Sequence, residues 1–501
     1  MEGHAERQFN LVEDNWIPVA GTGRVSLKRV FSDPDLTALG GSPVEKIALT
    51  KLLLAIAQAA HTPESEQTWA ALGPSGLAER ARNYLEDKKD LFWLYGDRPF
   101  LQMPVVAQAD KKSIGVFLPD AITGNSTILT ESQMEREYDD AEKALILVYL
   151  TGFALGGKQP DNKIVLSKNY SEKSSTAKPG PFLGYSGYLH SFLFWESLQG
   201  TIWLNLLTRD HIYDMQVFPG GVGNPPWEQM PEGEDCPVAK QLKESLMGRL
   251  VPLCRFALLN DNALHCSEGI SHPTHKNGGI DPSITVSFAK EPRALWVDPE
   301  KRPWRELTSL LSFFDTGGSR SYDCPQLRIG VLRAMENASK FSIWSGGIRV
   351  SGKVAGEQKV TGRDDYLESE VLLFSEWLKT GTWFVCLQHE MSALEAISKV
   401  VYSATLNYFK PETSSKRPSV DGKKHAATAV NLFWQLCERN FQDLVNACND
   451  ETGEKVADMR RVFVNYANEA FNTFCPNHTA RQIEAWAENR PDLWRFTIKR
   501  D

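Results

Sequence analysis

The chain has 501 residues and a formal net charge of −8, with 42% hydrophobic and 24% charged residues. That length holds two or more domains, each able to bury its own core. The acid excess excludes a generally basic nucleic-acid coat but not a local basic site, and eight scattered cysteines with no C-x-x-C pair speak against a zinc ribbon or a disulfide scaffold and fit a reduced cytoplasmic compartment.

The opening "MEGHAERQFNLVED" has no apolar stretch after its charges, so no signal peptide is expected, and the longest apolar run, "ALILVYLTGFALGG", is too short for a membrane span. "FNLVEDNWIPV" reads as strand, charged turn, strand. A helix start is written at Ser42-Pro43-Val44-Glu45: serine caps, proline takes the first helical position and glutamate closes the capping box. The apolar run "KIALTKLLLAIAQAA" that follows predicts a helix buried on most sides.

From about Gly73 to Lys340 helical stretches ("LAERARNYLEDKKDLFWLY", "DDAEKALILVYLTGFAL") alternate with strand-like runs ("TIWLNLL", "RFALL", "ITVSFA"). Long Gly/Pro-rich loops separate them: "KSSTAKPGPFLGYSG", "FPGGVGNPPWEQMPEGEDCP" and "ISHPTHKNGGIDP". Loops of that length in a folded domain are usually functional or disordered, which predicts an irregular domain whose surface serves binding. After about Leu378 three segments carry helical stripes: Leu394, Ile397, Val401 and Thr405; then Val430, Phe433, Cys437, Phe441 and Leu444; then Val456, Met459, Phe463, Tyr466 and Phe471. A fourth, "TARQIEAWAENRPDLWRF", should kink or restart at Pro491. The expected fold is α+β: a large irregular mixed α/β N-terminal domain over residues 1–378, then an all-α C-terminal four-helix bundle over residues 379–501. No internal repeat is visible.

Catalytic signatures are absent: no P-loop, no G-x-G-x-x-G after a strand, no G-x-S-x-G and no H-E-x-x-H. The one metal-capable set is His265-Cys266 with His272 and His275. It matches no zinc template, and a zinc-dependent metalloenzyme is therefore the alternative reading. Asp139-Asp140 and Asp364-Asp365 are adjacent in sequence and read as solvated surface rather than as two carboxylates aimed at one bond.

Three loops favour nucleic acid. One carries Arg349, Ser351, Gly352 and Lys353 at a hairpin-like tip within "FSIWSGGIRVSGKVAGEQKVTG". The second runs through Lys178, Pro179 and Gly180. The third holds Lys276 in "HKNGG". Glycines let a backbone approach another chain closely, and lysine and arginine neutralise phosphates. A Gly/Lys loop is otherwise a solvated turn, so the signal lies in the three together. A protein-only adaptor is the remaining alternative.

"NLVEDNWIPV", "DRPFLQM" (Asp97 to Met103), "SGGIR" (Ser345 to Arg349) and the terminal helices occur in this order, and with them the chain resembles the CasA family, the large subunit of the type I-E CRISPR surveillance complex Cascade. The resemblance implies a non-enzymatic protein without cofactor. It implies as partners the CRISPR RNA, the backbone and small Cascade subunits, target double-stranded DNA and a helicase-nuclease effector, with no membrane. Such a subunit checks a short protospacer-adjacent motif and helps open the duplex, while base pairing reads the rest. Carried over by position, Ser351-Gly352-Lys353 would be a wedge with Arg349 at its base, where relatives carry glutamine at the tip. Ser175 through Gly180, with Lys178, would be the minor-groove loop, and Lys276 the minor-groove lysine. Asn125, in "ITGNSTILTE", would lie near the RNA 5′ end or a backbone subunit. The basic inter-helix stretch "SSKRPSVDGKK", with Lys423 and Lys424, would border the displaced strand.

Overall fold

Ser42 begins a helix through the expected capping box in the computed structural model of the protein, which describes residues 8–118, 136–153, 160–161, 163–170, 187–273, 281–288, 291–314, 322–350, 365–410 and 420–497. The Ser42 hydroxyl accepts from the Glu45 amide at 3.4 Å, and the Glu45 carboxylate accepts from the Ser42 amide at 2.7 Å. Packing divides the chain into residues 1–370 and 371–501.

In the first unit β1 (Ile17–Val19) and β2 (Gly23–Val25) form a hairpin followed by α1 (Leu27–Ser32). The strand expected at Leu11–Val12 is instead a tight turn. The Asn10 side chain accepts from the Val12 amide at 3.0 Å, and Asp14 accepts from the Asn10 amide at 2.6 Å, a local bonding pattern that competes with strand pairing. Helix α2 (Pro43–Ala60) is buried on nearly all sides, packed by α3 (Glu66–Asp87), α4 (Asp140–Gly152) and α5 (Leu198–Asn205). Asp139 caps α4 in a second capping box with Glu142. The run "TIWLNLL" is helical, not a strand: Ser197 caps α5, and every residue of α5 is buried, so no periodicity marks it.

Trp69 of α3 and Trp203 of α5 stack with centroids 4.1 Å apart, and each indole N–H donates to the other's carbonyl, at 2.8 and 3.2 Å. The Arg333 guanidinium lies 4.0 Å above Trp69 and is paired with Glu66. This arrangement seats α6 (Pro325–Asn337).

The sheets are small. Strand β3 (Lys111–Ser113) pairs with β6 (Ala263–Glu268), which pairs with β5 (Arg255–Asn260). β7 (Val286–Ser287) lies between β8 (Arg293–Ala294) and β9 (Tyr322–Asp323). The third sheet has the order β11-β10-β4, where β4 is His190–Phe194, β10 Lys340–Ile348 and β11 Tyr366–Phe374. β4 and β10 are antiparallel, with His190 opposite Gly346 and Phe194 opposite Ser342.

In the second unit α7 (Thr382–Tyr408), α8 (Val420–Glu438) and α10 (Glu454–Phe474) pack on one another, with α9 (Phe441–Ala447) against α10 and α11 (Ala480–Glu488) against α7. The α7 stripe Leu394, Ile397, Val401 and Thr405 is buried. The second expected helix is broken between α8 and α9, where the Asn440 side chain donates to Asp443 at 2.7 Å and accepts from Tyr466 at 2.6 Å. Before Pro491 α11 stops, and the chain resumes as a short 3-10 turn at Trp494–Phe496.

Candidate nucleic-acid interface

Most of the expected contact residues fall outside the described residues: Asn125, Lys178, Gly180, Lys276, Ser351, Gly352 and Lys353. Arg349, Lys423 and Lys424 are described, and all three are exposed. The two lysines lie in the first turn of α8, in the second unit. What the structure adds is the ground from which the other segments rise.

The described residues on either side of 351–364 meet one another. The Arg349 amide donates to the Asp365 carbonyl at 2.7 Å, closing the β10–β11 pair just below the expected wedge. Asp365 is buried, so its half of the Asp364-Asp365 pair is not the solvated surface group expected; Asp364 lies outside the described residues.

Gly187, which follows residues 171–186, lies at the same place. Gly187 has φ +67°, and a Cβ on it would stand 2.4 Å from the Ile348 carbonyl oxygen and 3.0 Å from the Val350 nitrogen. Only glycine combines that left-handed backbone with such close approach. The Gly187 carbonyl accepts from Val297, and a Cβ on Gly347 would stand 2.7 Å from both the Tyr188 oxygen and Val297 Cγ2. Leu189, Val297 and Leu367 form an apolar cluster.

Ser283, just past residues 274–280, is tied to the same sheet. On their far side the Ser283 carbonyl accepts from the Ser191 amide at 2.8 Å, and His190 Nδ1 meets Ser283 Oγ at 2.9 Å. The Ser191 hydroxyl in turn meets Ser345 of the "SGGIR" motif at 2.8 Å. Asp281 accepts from Ser283 Oγ at 2.8 Å and from buried Lys51 of α2 at 2.5 Å. Burial alone would raise the Asp281 carboxyl, but the Lys51 ammonium outweighs it and holds Asp281 below the usual carboxylate range. On their near side His272 accepts from Arg249 at 2.7 Å and donates to the Pro252 carbonyl at 2.6 Å, and Lys51 also donates to the Arg249 carbonyl at 3.2 Å. His272 and Asp281 are therefore linked to each other through Arg249 and Lys51.

The metal alternative fails on the same geometry. His265 Nδ1 bonds the Ala109 carbonyl at 2.7 Å and its Nε2 meets Asn260 at 3.2 Å. Cys266 is the next residue of β6 and points to the opposite face; burial pushes its thiol up to about 11. Both nitrogens of His272 are engaged as described, and His275 lies outside the described residues. Among the described residues no group of three or more His, Cys, Asp or Glu is arranged to hold a metal ion.

The residues that carried the resemblance are structural. Gln102 of "PFLQ" donates to the Leu94 carbonyl at 2.7 Å and accepts from the Leu259 amide at 2.8 Å, fastening the motif to β5. Trp16 of "DNWIPV" is buried with its indole N–H on the Leu11 carbonyl at 2.9 Å. Sequence reasoning missed Lys51, His190, Asp281 and Ser283, because each matters only through partners far along the chain.

This mixed fold, helix-rich with small sheets, is shared with solved CasA and Cse1 structures. A crystal structure of Thermus thermophilus CasA matches it with a TM-score of 0.74 at 19% identity, over 98% of this chain and 99% of that one. A chain of a CRISPR RNA-guided surveillance complex in a pre-nicking state matches with a TM-score of 0.62 at 15% identity, over 98% of this chain and 100% of that one. The chain belongs to the CRISPR-associated protein Cse1 family, which it matches over residues 10–470. By sequence, the curated CasA/Cse1 protein of Thermus thermophilus is 29% identical over 165 residues, a stretch spanning 30% of this chain and 32% of that protein. No described helix is long and apolar enough to cross a membrane.

Proposed function

We propose that this chain is the non-catalytic large subunit of a type I-E Cascade complex, acting in the cytoplasm, which recognises a protospacer-adjacent motif in double-stranded DNA, aids duplex opening and recruits the helicase-nuclease. Family membership supports the class of complex. One observation supports the DNA-reading role: Gly187, Ser283 and Arg349, described residues close to the ends of 171–186, 274–280 and 351–364 and far apart in sequence, all meet the β4–β10 end of one sheet. Reading elements must act on the same few base pairs, so a common footing is what the task requires.

In this reading Ser351-Gly352-Lys353 enters the duplex as a wedge with Arg349 on the adjoining phosphate. Lys276 and the Lys178–Gly180 segment approach the minor groove, where the donor and acceptor pattern is degenerate and recognition is permissive. Unstacking one step costs a few kcal/mol, offset by contacts and by RNA–DNA pairing. Asn125 lies by the RNA 5′ end. The reading domain runs to residue 378, and residues 379–501 form a four-helix bundle against the small subunits, with Lys423 and Lys424 along the displaced strand.

The test is motif-dependent duplex binding by the assembled complex, comparing wild type with Lys276→Ala plus Lys353→Ala. Lost affinity with lost motif preference supports the reading. Unchanged affinity and preference would leave a protein-only adaptor.

A further inference from the structure

Trp296 is the feature of this end of the molecule that the proposed function does not use. Along residues 295–297 the side chains alternate: Leu295 and Val297 face the apolar cluster with Leu189 and Leu367, while Trp296 is 60% exposed. Among the described residues the other exposed tryptophan is Trp494, in the second unit. Most of the described tryptophans are buried, as the large apolar area of an indole favours. Leaving one in water beside an apolar cluster calls for a partner.

Its position is fixed by the backbone. Trp296 bridges Tyr188, the Val297 amide donates to the Gly187 carbonyl at 2.7 Å, and Val297 lies under Gly347. Trp296 therefore adjoins the residues that meet Gly187 and Gly347, near exposed Arg349, whose Cα would stand 3.5 Å from a Cβ on Gly187.

We propose that Trp296 is a stacking platform for an unpaired nucleobase of the target DNA. This inference rests on the proposed duplex-opening role. A wedge that parts a base pair leaves two bases without a stack. A flat, exposed indole near Arg349 receives one of them on its π-face, a contact that accepts any base. A base held there cannot re-pair, so the indole acts after motif recognition, on the step that opens the duplex.

The experiment uses the assembled complex carrying Trp296→Ala or Trp296→Phe and follows two quantities: motif-dependent capture of intact duplex, and the rate of strand opening reported by 2-aminopurine beside the motif. Trp296→Ala is expected to leave capture unchanged and to slow opening roughly tenfold, the size of a single base–aromatic stack, with Trp296→Phe recovering most of the rate. A scan of abasic sites beside the motif is expected to find one position that slows wild type and leaves Trp296→Ala no slower. Equal opening rates for wild type and Trp296→Ala overturn the proposal, as does an alanine defect that every abasic substrate retains. Weakened assembly of Trp296→Ala with the other subunits overturns it too, by making the indole a protein contact. Loss of duplex capture by wild type itself overturns instead the underlying function.

Discussion

Gly187 lies against the carbonyl of Ile348 so closely that a single added carbon would stand 2.4 Å from the oxygen. That contact joins the exit of residues 171–186 to the start of residues 351–364. Gly187→Ala is expected to cost on the order of 1–3 kcal/mol from combined backbone strain and overlap. Gly21→Ala is the control: Gly21 has φ +72° with nothing within 4 Å of the added carbon, so only the strain remains. Melting followed by circular dichroism should rank Gly187→Ala below Gly21→Ala, and the assembled complex should lose motif-dependent binding with the former alone.

The Lys51–Asp281 pair is almost wholly buried, with side chains 3% and 1% exposed. Removing one partner strands the other charge in an apolar setting, which costs about 3–5 kcal/mol. Asp281→Asn should therefore destabilise the chain strongly in urea titrations. The double variant Lys51→Met/Asp281→Asn should recover a substantial part of the loss, because no unpaired ammonium is left inside.

The positive charges that Arg349, Lys276 and Lys353 are proposed to bring onto the duplex make a quantitative claim about salt, since each neutralises phosphate charge there. Each phosphate contact removed should lower the slope of log affinity against log salt by about 1. Duplex titrations of the assembled complex from low to moderate salt should show single alanine variants losing about one such increment each, and the Lys276→Ala/Lys353→Ala pair about two. A slope unchanged in all of them would remove these side chains from the backbone of the DNA.

His272 is expected to make stability fall in mild acid. Burial first, and then the Arg249 guanidinium, hold its imidazole well below the ordinary value of 6.5. The folded state thus keeps His272 neutral where the unfolded chain binds a proton. Its contribution is complete above about pH 6.5 and is lost as pH falls below that toward the folded value, at up to about 1.4 kcal/mol per pH unit. Urea titrations between pH 7 and pH 5 should show a shallower decline in His272→Gln than in wild type. The remaining slope includes His61 and His211, whose values burial also lowers.

Caps were legible because their chemistry is local. Ser42 with Glu45 closes within four residues. The α7 stripe was legible because one face is buried and the other wet. Helix α5 was not, since burial on all sides erases the period and leaves Thr201, Ile202 and Trp203 to suggest a strand. The candidate interface was legible only in its glycines and lysines. The footing is built by Lys51 on Asp281, Ser191 on Ser283 and Ser345, and Gly187 on Ile348, contacts that span from 92 to 230 residues and leave no local mark.

The shared footing also bears on how such a protein changes. Its seams at Gly187, Asp281, Val350 and Asp365 are held by main-chain bonds, glycine contacts and a buried charge pair, none of which consults the residues beyond them. On the proposed DNA-reading role, the residues beyond these seams can be transplanted from a relative as cassettes. A lineage pressed by invaders can then retune what it reads without rebuilding the floor beneath.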